Sequence, residues 1–215
     1  MSQNEWSSPD HARSYLGRAD NLPHRGEGEA TLLELMPSEA RRILDLGTGD
    51  GRLLALVLRD RPQAQGVALD FSPTMLEAAR ARFAGDARIS VVAHDLDQPL
   101  PEIGRFDAVV SSFVIHHLTD ERKRSLYAEI FALIEPGGLF CNLEHVASPT
   151  AAVHAAFLRA TGKTPADEDR SNLLLDAETQ IAWLRDIGFV DVDCFWKWRE
   201  YALLAGSKPG TPDTH

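Results

Sequence analysis

The sequence predicts an α/β protein with seven strands in a mostly parallel sheet, helices on both faces, a C-terminal antiparallel hairpin and a small helical cap. Three observations predict it. From residue 42 onward short β-rich runs alternate with helical patterns, as in a parallel sheet wound by crossover helices. A glycine-rich turn, Gly47-Thr48-Gly49-Asp50-Gly51, stands between the first such run and the helical pattern after it. The last two β-rich runs, 189–198 and 201–207, are joined by Arg199-Glu200 alone, too little for a crossover helix, so they must pair as a hairpin.

Taken in order, residues 10–36 read as two short helices parted by Asn21-Leu22-Pro23; the second carries Leu32, Leu33, Leu35 and Met36 and stops at Pro37. Arg42 to Leu46 is the first strand, and the helix behind the glycine turn runs from Arg52 to Arg59. Gly66 to Asp70 is the second strand. Ser72-Pro73 opens the next helix, with Ser72 at the N-cap and Pro73 at the first helical position. Ile89–Ala93 and Phe106–Ser111 are the third and fourth strands. A helix spans Thr119 to Ile134, and Gly137-Gly138 breaks the chain before a fifth strand, Leu139 to Leu143. Residues 150–162 and 177–187 are helical. The expected organisation is one domain: an N-terminal helical cap over 1–38, a ligand-binding core over 39–145, an insertion over 146–176, and a last helix and hairpin over 177–208.

Composition narrows the function. The 215 residues suit a single domain, and a formal net charge of −10 disfavours a phosphate backbone, so nucleic acid is an unlikely partner. Nothing at the N-terminus resembles a signal peptide and no apolar run is long enough to span a bilayer, so a cytoplasmic protein with no membrane partner is expected. Cys141 and Cys194 both lie in apolar, strand-like runs and read as buried free thiols. The eight histidines show no metal-ligand spacing, so no metal is expected. Oligomeric state is not legible.

Glycines after a strand let the backbone turn tightly and come close to a ligand. Asp70, at the end of the following strand, stands where a nucleoside-binding fold places an acid for ribose hydroxyls. DLGTGDG, ALDFSPTMLEAAR, AHDLDQPLP, FDAVVSSFVIHHL and LIEPGGLF, in that order, resemble the motif series of class I S-adenosylmethionine-dependent methyltransferases, closely over about residues 40–145. The resemblance implies a Rossmann-like sheet, S-adenosyl-L-methionine as cofactor and methyl transfer. By matching motif it places Gly47, Thr48 and Gly49 along the methionine and ribose. Asp70 takes the ribose hydroxyls, Phe71 and Met75 flank the adenine, and Asp95 and Leu96 meet its amino edge. Ser112 lies beside the methionyl part and Asp45 near the sulfonium. Tyr15 and Arg25 are the N-terminal residues placed to reach the methionine carboxylate, whereas Arg18 reads as surface. Asp45 also speaks against a nicotinamide dinucleotide, whose pyrophosphate it would repel, whereas the donor's sulfonium or ammonium it would accommodate.

Methyl transfer from a sulfonium needs alignment and a dry site, and a general base where the acceptor arrives protonated. The candidates follow the fourth and fifth strands: His117, Glu144 and His145, with His116 reading as a packing residue and His154 as non-catalytic. The insertion 146–176 exceeds an ordinary connection and is expected to cap the acceptor, a small molecule, together with the segment around Tyr15. Phe195-Trp196-Lys197-Trp198 reads as a strand packed on both faces, with an aromatic wall for the acceptor as the other reading. A carboxy-S-adenosylmethionine synthase-like enzyme and a catalytically silent S-adenosylmethionine-binding protein are the competing functional readings.

Overall fold

The computed structural model describes residues 22–211; Tyr15, Arg18 and the first of the two helices expected over 10–36 lie outside them. In chain order the elements are α1 (Arg25–Leu35), β1 (Arg42–Leu46), α2 (Arg52–Asp60), β2 (Gln65–Asp70), α3 (Pro73–Arg82), β3 (Ile89–Ala93), β4 (Phe106–Ser112), a 3₁₀ turn (Ile115–His117), α4 (Asp120–Leu133), β5 (Ile134–His145), α5 (Ala151–Ala160), a second 3₁₀ turn (Pro165–Asp167), α6 (Ala177–Ile187), β6 (Val190–Trp198) and β7 (Tyr201–Ser207).

The seven strands form one sheet in the order β3-β2-β1-β4-β5-β7-β6. The first five are parallel; β7 inserts antiparallel between β5 and β6. Strand alternation divides the core. Ile43, Ala68, Ala108 and Val110 face Leu32 of α1, Met36 just after it, and Leu53, Leu54 and Val57 of α2. Leu44, Leu46, Leu69 and Val109 face Leu126, Tyr127 and Ile130 of α4 and Leu184 of α6. Chain order reverses at β1, which has β2 on one side and β4 on the other. Such a switch point opens a crevice at the carboxyl ends of the strands.

Several expectations need correction. The fifth strand starts at Ile134, not Leu139. Ile134 pairs with Phe106 and Leu139 with Ala108, and the intervening Glu135-Pro136-Gly137-Gly138 forms a bulge. Gly137 N–H donates to Lys208 O and Lys208 N–H to Gly138 O, so the hairpin's own end fastens that bulge. The glycines therefore interrupt a strand and do not precede one. The 195–198 strand is not packed on both faces, because β6 is the sheet edge: Phe195 is 42% exposed and Lys197 is exposed, while Trp196 and Trp198 pack inward. Cys194, on the same strand, is half-buried; Cys141, in β5, is fully buried, and both thiols are free. Ser72 occupies the N-cap of α3 without a side-chain cap bond. Thr119 caps α4 and Asp176 caps α6 through their side chains.

Candidate donor and acceptor site

A cleft of about 960 Å³, its open mouth included, lies across the carboxyl ends of β1 to β4. Each wall is the loop leaving one strand. The β1 loop supplies Gly47, Thr48, Gly49 and Asp50, β2 supplies Asp70, Phe71 and Ser72 with Met75 from α3, and β3 supplies His94 to Asp97. β4 supplies Ser112 to Val114 and then His117 and Leu118; Asp45 of β1, Arg25 of α1, and Arg52 and Leu53 of α2 complete the lining.

The glycine loop is held from beneath by two carboxylates. Asp70 accepts backbone N–H bonds from Gly49 and Ser72, both at 2.9 Å, so one side chain ties the β1 loop to the β2 loop. Burial pushes its carboxyl above the usual range, against those bonds. Asp45 accepts from the Thr48 hydroxyl at 2.7 Å, and burial lifts it to about 7. Gly47 and Gly49 both have left-handed backbones, for different reasons. A Cβ on Gly47 would strike the Val114 side chain, which is a packing constraint. A Cβ on Gly49 would meet nothing nearer than Met75 Sδ at 4.0 Å and would stand in the cleft.

The cationic end is organised around Glu29, which is almost fully buried. Arg25 Nε donates to Glu29 at 2.8 Å, Arg52 ion-pairs with the same oxygen, and Arg25 Nη2 reaches Ser112 Oγ at 3.2 Å. His24, just before α1, stacks on Trp198 with ring centroids 4.4 Å apart, which anchors the helix that presents Arg25. Phe113 has φ +54°, a left-handed backbone rare for a large side chain. It is held by its N–H bond to Leu143 O at 2.7 Å, by an edge contact with Tyr201, and by Arg25 lying 5.6 Å over its ring.

On the β3 side, Arg122 of α4 clamps the loop: it donates to Leu96 O at 2.6 Å and Gln98 O at 2.7 Å, and Glu129 holds the guanidinium. His94, just after β3, lines the cleft, and its Nε2 is buried with no hydrogen-bond partner among the described residues.

The candidate catalytic residues separate. His117 lines the cleft; Glu144 and His145 do not. Glu144 lies buried behind the 3₁₀ turn, where its Oε1 meets His116 Nδ1 at 2.5 Å and takes the His145 N–H at 2.8 Å, while Oε2 accepts from Asn142 at 3.2 Å. Burial raises the Glu144 carboxyl to about 7 and drives the His116 imidazole well below its ordinary value. His145 Nε2 pairs with Glu200, which also accepts from Ser148 and, at 2.9 Å, from His154 Nδ1. The insertion 146–176 docks on the same turn: Leu173 N–H donates to His116 O at 2.8 Å, and Lys123 of α4 holds Leu173 O. No residue of 146–176 lines the cleft, so the insertion braces its rim and does not form its wall.

Of the cofactor-side residues read from sequence, all but Tyr15, which lies outside the described residues, line this one cleft. Sequence reasoning missed Arg52, His94 and Phe113. His94 directly precedes the AHDLD acid and could have been flagged; a left-handed Phe113 has no sequence signal.

A family model described as "Methyltransferase domain" matches residues 43–138. The chain is 32% identical over 204 residues to a demethylmenaquinone methyltransferase of Clavibacter sepedonicus, covering 86% of this chain and 81% of that protein. Two further curated relatives are longer, and the matched part spans 39% and 45% of their lengths. Among solved structures, an O-methyltransferase family protein from Burkholderia thailandensis superposes with a TM-score of 0.75 at 23% identity, over 98% of this chain and 63% of that one. Human N-acetylserotonin methyltransferase in complex with S-adenosylmethionine superposes with a TM-score of 0.69 at 19% identity, over 96% and 58%. The chain thus belongs to the class I S-adenosylmethionine-dependent methyltransferases. It is an enzyme of that class, with S-adenosylmethionine as its methyl donor. The cleft fits that donor on its own chemistry: it has room against Gly49, acids toward the sheet and arginines at one end.

Proposed function

We propose that the chain transfers the methyl group of S-adenosylmethionine to a small-molecule acceptor, with the donor lying along the cleft and the acceptor entering beside His117. The observation that carries this reading is the convergence on one cleft of Gly49, Asp70, Asp95 and Ser112 with His117 at its edge. The bound donor supplies an electrophilic methyl on a sulfonium; the residues orient it and keep water out. Asp70 receives the ribose hydroxyls, Phe71 and Met75 flank the adenine, and Asp95 with the backbone of Leu96 meets its amino edge. Gly47, Thr48 and Ser112 border the methionyl part, Arg25 takes its carboxylate and Asp45 faces the positive end. His117 takes the catalytic role, and Glu144 and His145 shape the turn that carries it.

Relatives named demethylmenaquinone methyltransferase and trans-aconitate 2-methyltransferase support a small acceptor, as does an acidic chain with little to offer a phosphate backbone. Residues 146–176 act as the acceptor-side brace of a single domain whose donor-binding core spans 39–145. No described helix is long and apolar enough to cross a membrane, and two free thiols suit a cytoplasmic setting. Calorimetry with S-adenosylmethionine, S-adenosylhomocysteine and NAD, followed by mass-shift screening of a metabolite panel, tests the proposal. Binding of both adenosyl compounds but not NAD, and methyl gain in a panel compound, is expected. Methyl gain confined to nucleic acid or protein would contradict the small-molecule acceptor.

A further inference from the structure

Ser171 and Asp169 belong to the insertion and do not line the cleft, yet they grip the one histidine among the described residues 110–145 that does. Ser171 Oγ donates to Asp169 Oδ1 at 2.7 Å, and Ser171 N–H donates to the same oxygen at 2.9 Å. A hydroxyl has one proton, and this one is committed to the carboxylate. His117 Nδ1 lies 3.0 Å from Ser171 Oγ and 3.3 Å from Ser171 O. A carbonyl can only accept, and the hydroxyl has only lone pairs left, so the hydrogen between them must sit on Nδ1. Burial, and then the neighbouring His116 ring, hold the imidazole below its ordinary range, so it is neutral near pH 7 and its basic lone pair is on Nε2. Nδ1 is engaged by Ser171, which lies off the cleft, while His117 itself lines it.

We propose that Ser171 and Asp169 are positioning residues that lock His117 in the Nδ1–H form, and that Nε2 takes the proton of an acceptor that gives up an O–H or N–H hydrogen as it is methylated. This rests on the reading of the cleft as the methyl-transfer site. In that step the bond from acceptor to methyl forms, the sulfur–methyl bond breaks with its electron pair left on sulfur, and the acceptor's proton moves to Nε2. The resulting imidazolium donates through Nδ1 to Ser171, with the Asp169 carboxylate behind it, and later yields the proton to solvent. Asp169 and Glu144 are the negative groups that favour this cation; burial and the His116 ring oppose it. Asp169 therefore matters most: without that counter-charge a buried imidazole is a poor base.

The test is a two-bond ¹H–¹⁵N correlation spectrum of the full chain carrying ¹⁵N-histidine, with His117 assigned from His117→Gln. The wild type should show the Nδ1–H tautomer, Ser171→Ala should shift His117 toward the Nε2–H form, and Ser171→Thr should keep the wild-type form. S-adenosylhomocysteine affinity, measured on the same samples, should not change between wild type and Ser171→Ala. It reports on the cleft separately: a wild type that fails to bind overturns the donor site, whatever the tautomer. An Nε2–H wild type, or a tautomer indifferent to Ser171→Ala, overturns the positioning role. With the first acceptor found by screening, Asp169→Asn should lower kcat about tenfold or more with the donor KM unchanged. The product should gain CH₂ net; a product that gains CH₃⁺, with no proton lost, overturns the proton-accepting role.

Discussion

Asp70 is asked to do two things at once. Its carboxylate oxygens already accept the N–H groups of Gly49 and Ser72, and its remaining lone pairs are what a ribose would use. Asp70→Ala should therefore lower affinity for S-adenosylhomocysteine at least about tenfold, since a charge-assisted bond is worth roughly 1.5–3 kcal/mol. Calorimetry on the folded variant checks this, and unchanged affinity would remove Asp70 from the site. Asp45 makes a different prediction, because burial lifts its carboxyl to about 7. A group with a raised folded value is mostly protonated below it and ionised above it. A cationic donor favours the ionised form, and the neutral thioether product gains less from it. The ratio of S-adenosylmethionine to S-adenosylhomocysteine affinity should thus rise about tenfold as pH climbs through that value, one pKa unit being a factor of ten. Asp45→Asn should flatten the ratio; a wild-type ratio independent of pH would place the sulfonium elsewhere. At this scale the acids were readable from sequence because each stands at or beside the carboxyl end of a strand of known direction. Arg52 was not, because its place in the cleft depends on where α2 turns, whereas His94 stands beside a readable acid and went unflagged.

Among the elements, the glycine loop and the insertion respond to different tests. Gly49→Val puts a branched side chain into the donor's space at φ +57°. Donor binding should be lost, with about 1–2 kcal/mol of stability forfeited to the left-handed backbone; normal binding in calorimetry would reduce the loop to a turn. The insertion is pinned by Glu200, in the turn between β6 and β7. Burial pushes Glu200 up, but the bonds from His145, Ser148 and His154 outweigh it and hold it below 4.5. The Glu200 bond raises His154 above 6.5, with Glu168 adding to it. The sign follows from both. Glu200 stabilises the docked insertion above its unfolded value and loses that effect as pH falls through its lowered one. His154 stabilises below its unfolded value and loses that effect as pH rises through its raised one. Hydrogen-exchange protection of residues 148–160, corrected for intrinsic rates, should decline from about pH 6 to pH 8. His154→Gln should abolish the decline, and a decline that persists in the variant would exclude the latch. The helices and strands themselves were legible from periodicity. The start of β5 was not, because a double glycine marks a bulge as readily as a break, and partner Phe106 decides between them. The edge position of β6 also escaped, since strand order across the hairpin leaves no mark in the sequence.

For the whole molecule, the sheet order brings four strand ends, two arginines and two histidines to a single crevice, and the insertion braces its rim. The donor half of that crevice was legible because its motifs are local. The acceptor half was not, because it is built by contacts between Ser171 and His117 and between Leu173 and His116, far apart in sequence. The central claim is that the donor lies along this cleft with its reactive end toward His117. A crystal structure of the S-adenosylhomocysteine complex tests it most directly. It should place the ribose hydroxyls on the Asp70 carboxylate, the adenine between Phe71 and Met75 with its amino edge at Asp95, and the homocysteine carboxylate by Arg25, with the sulfur toward His117. A ligand bound away from Asp70, or with its sulfur turned toward Asp95, would contradict it.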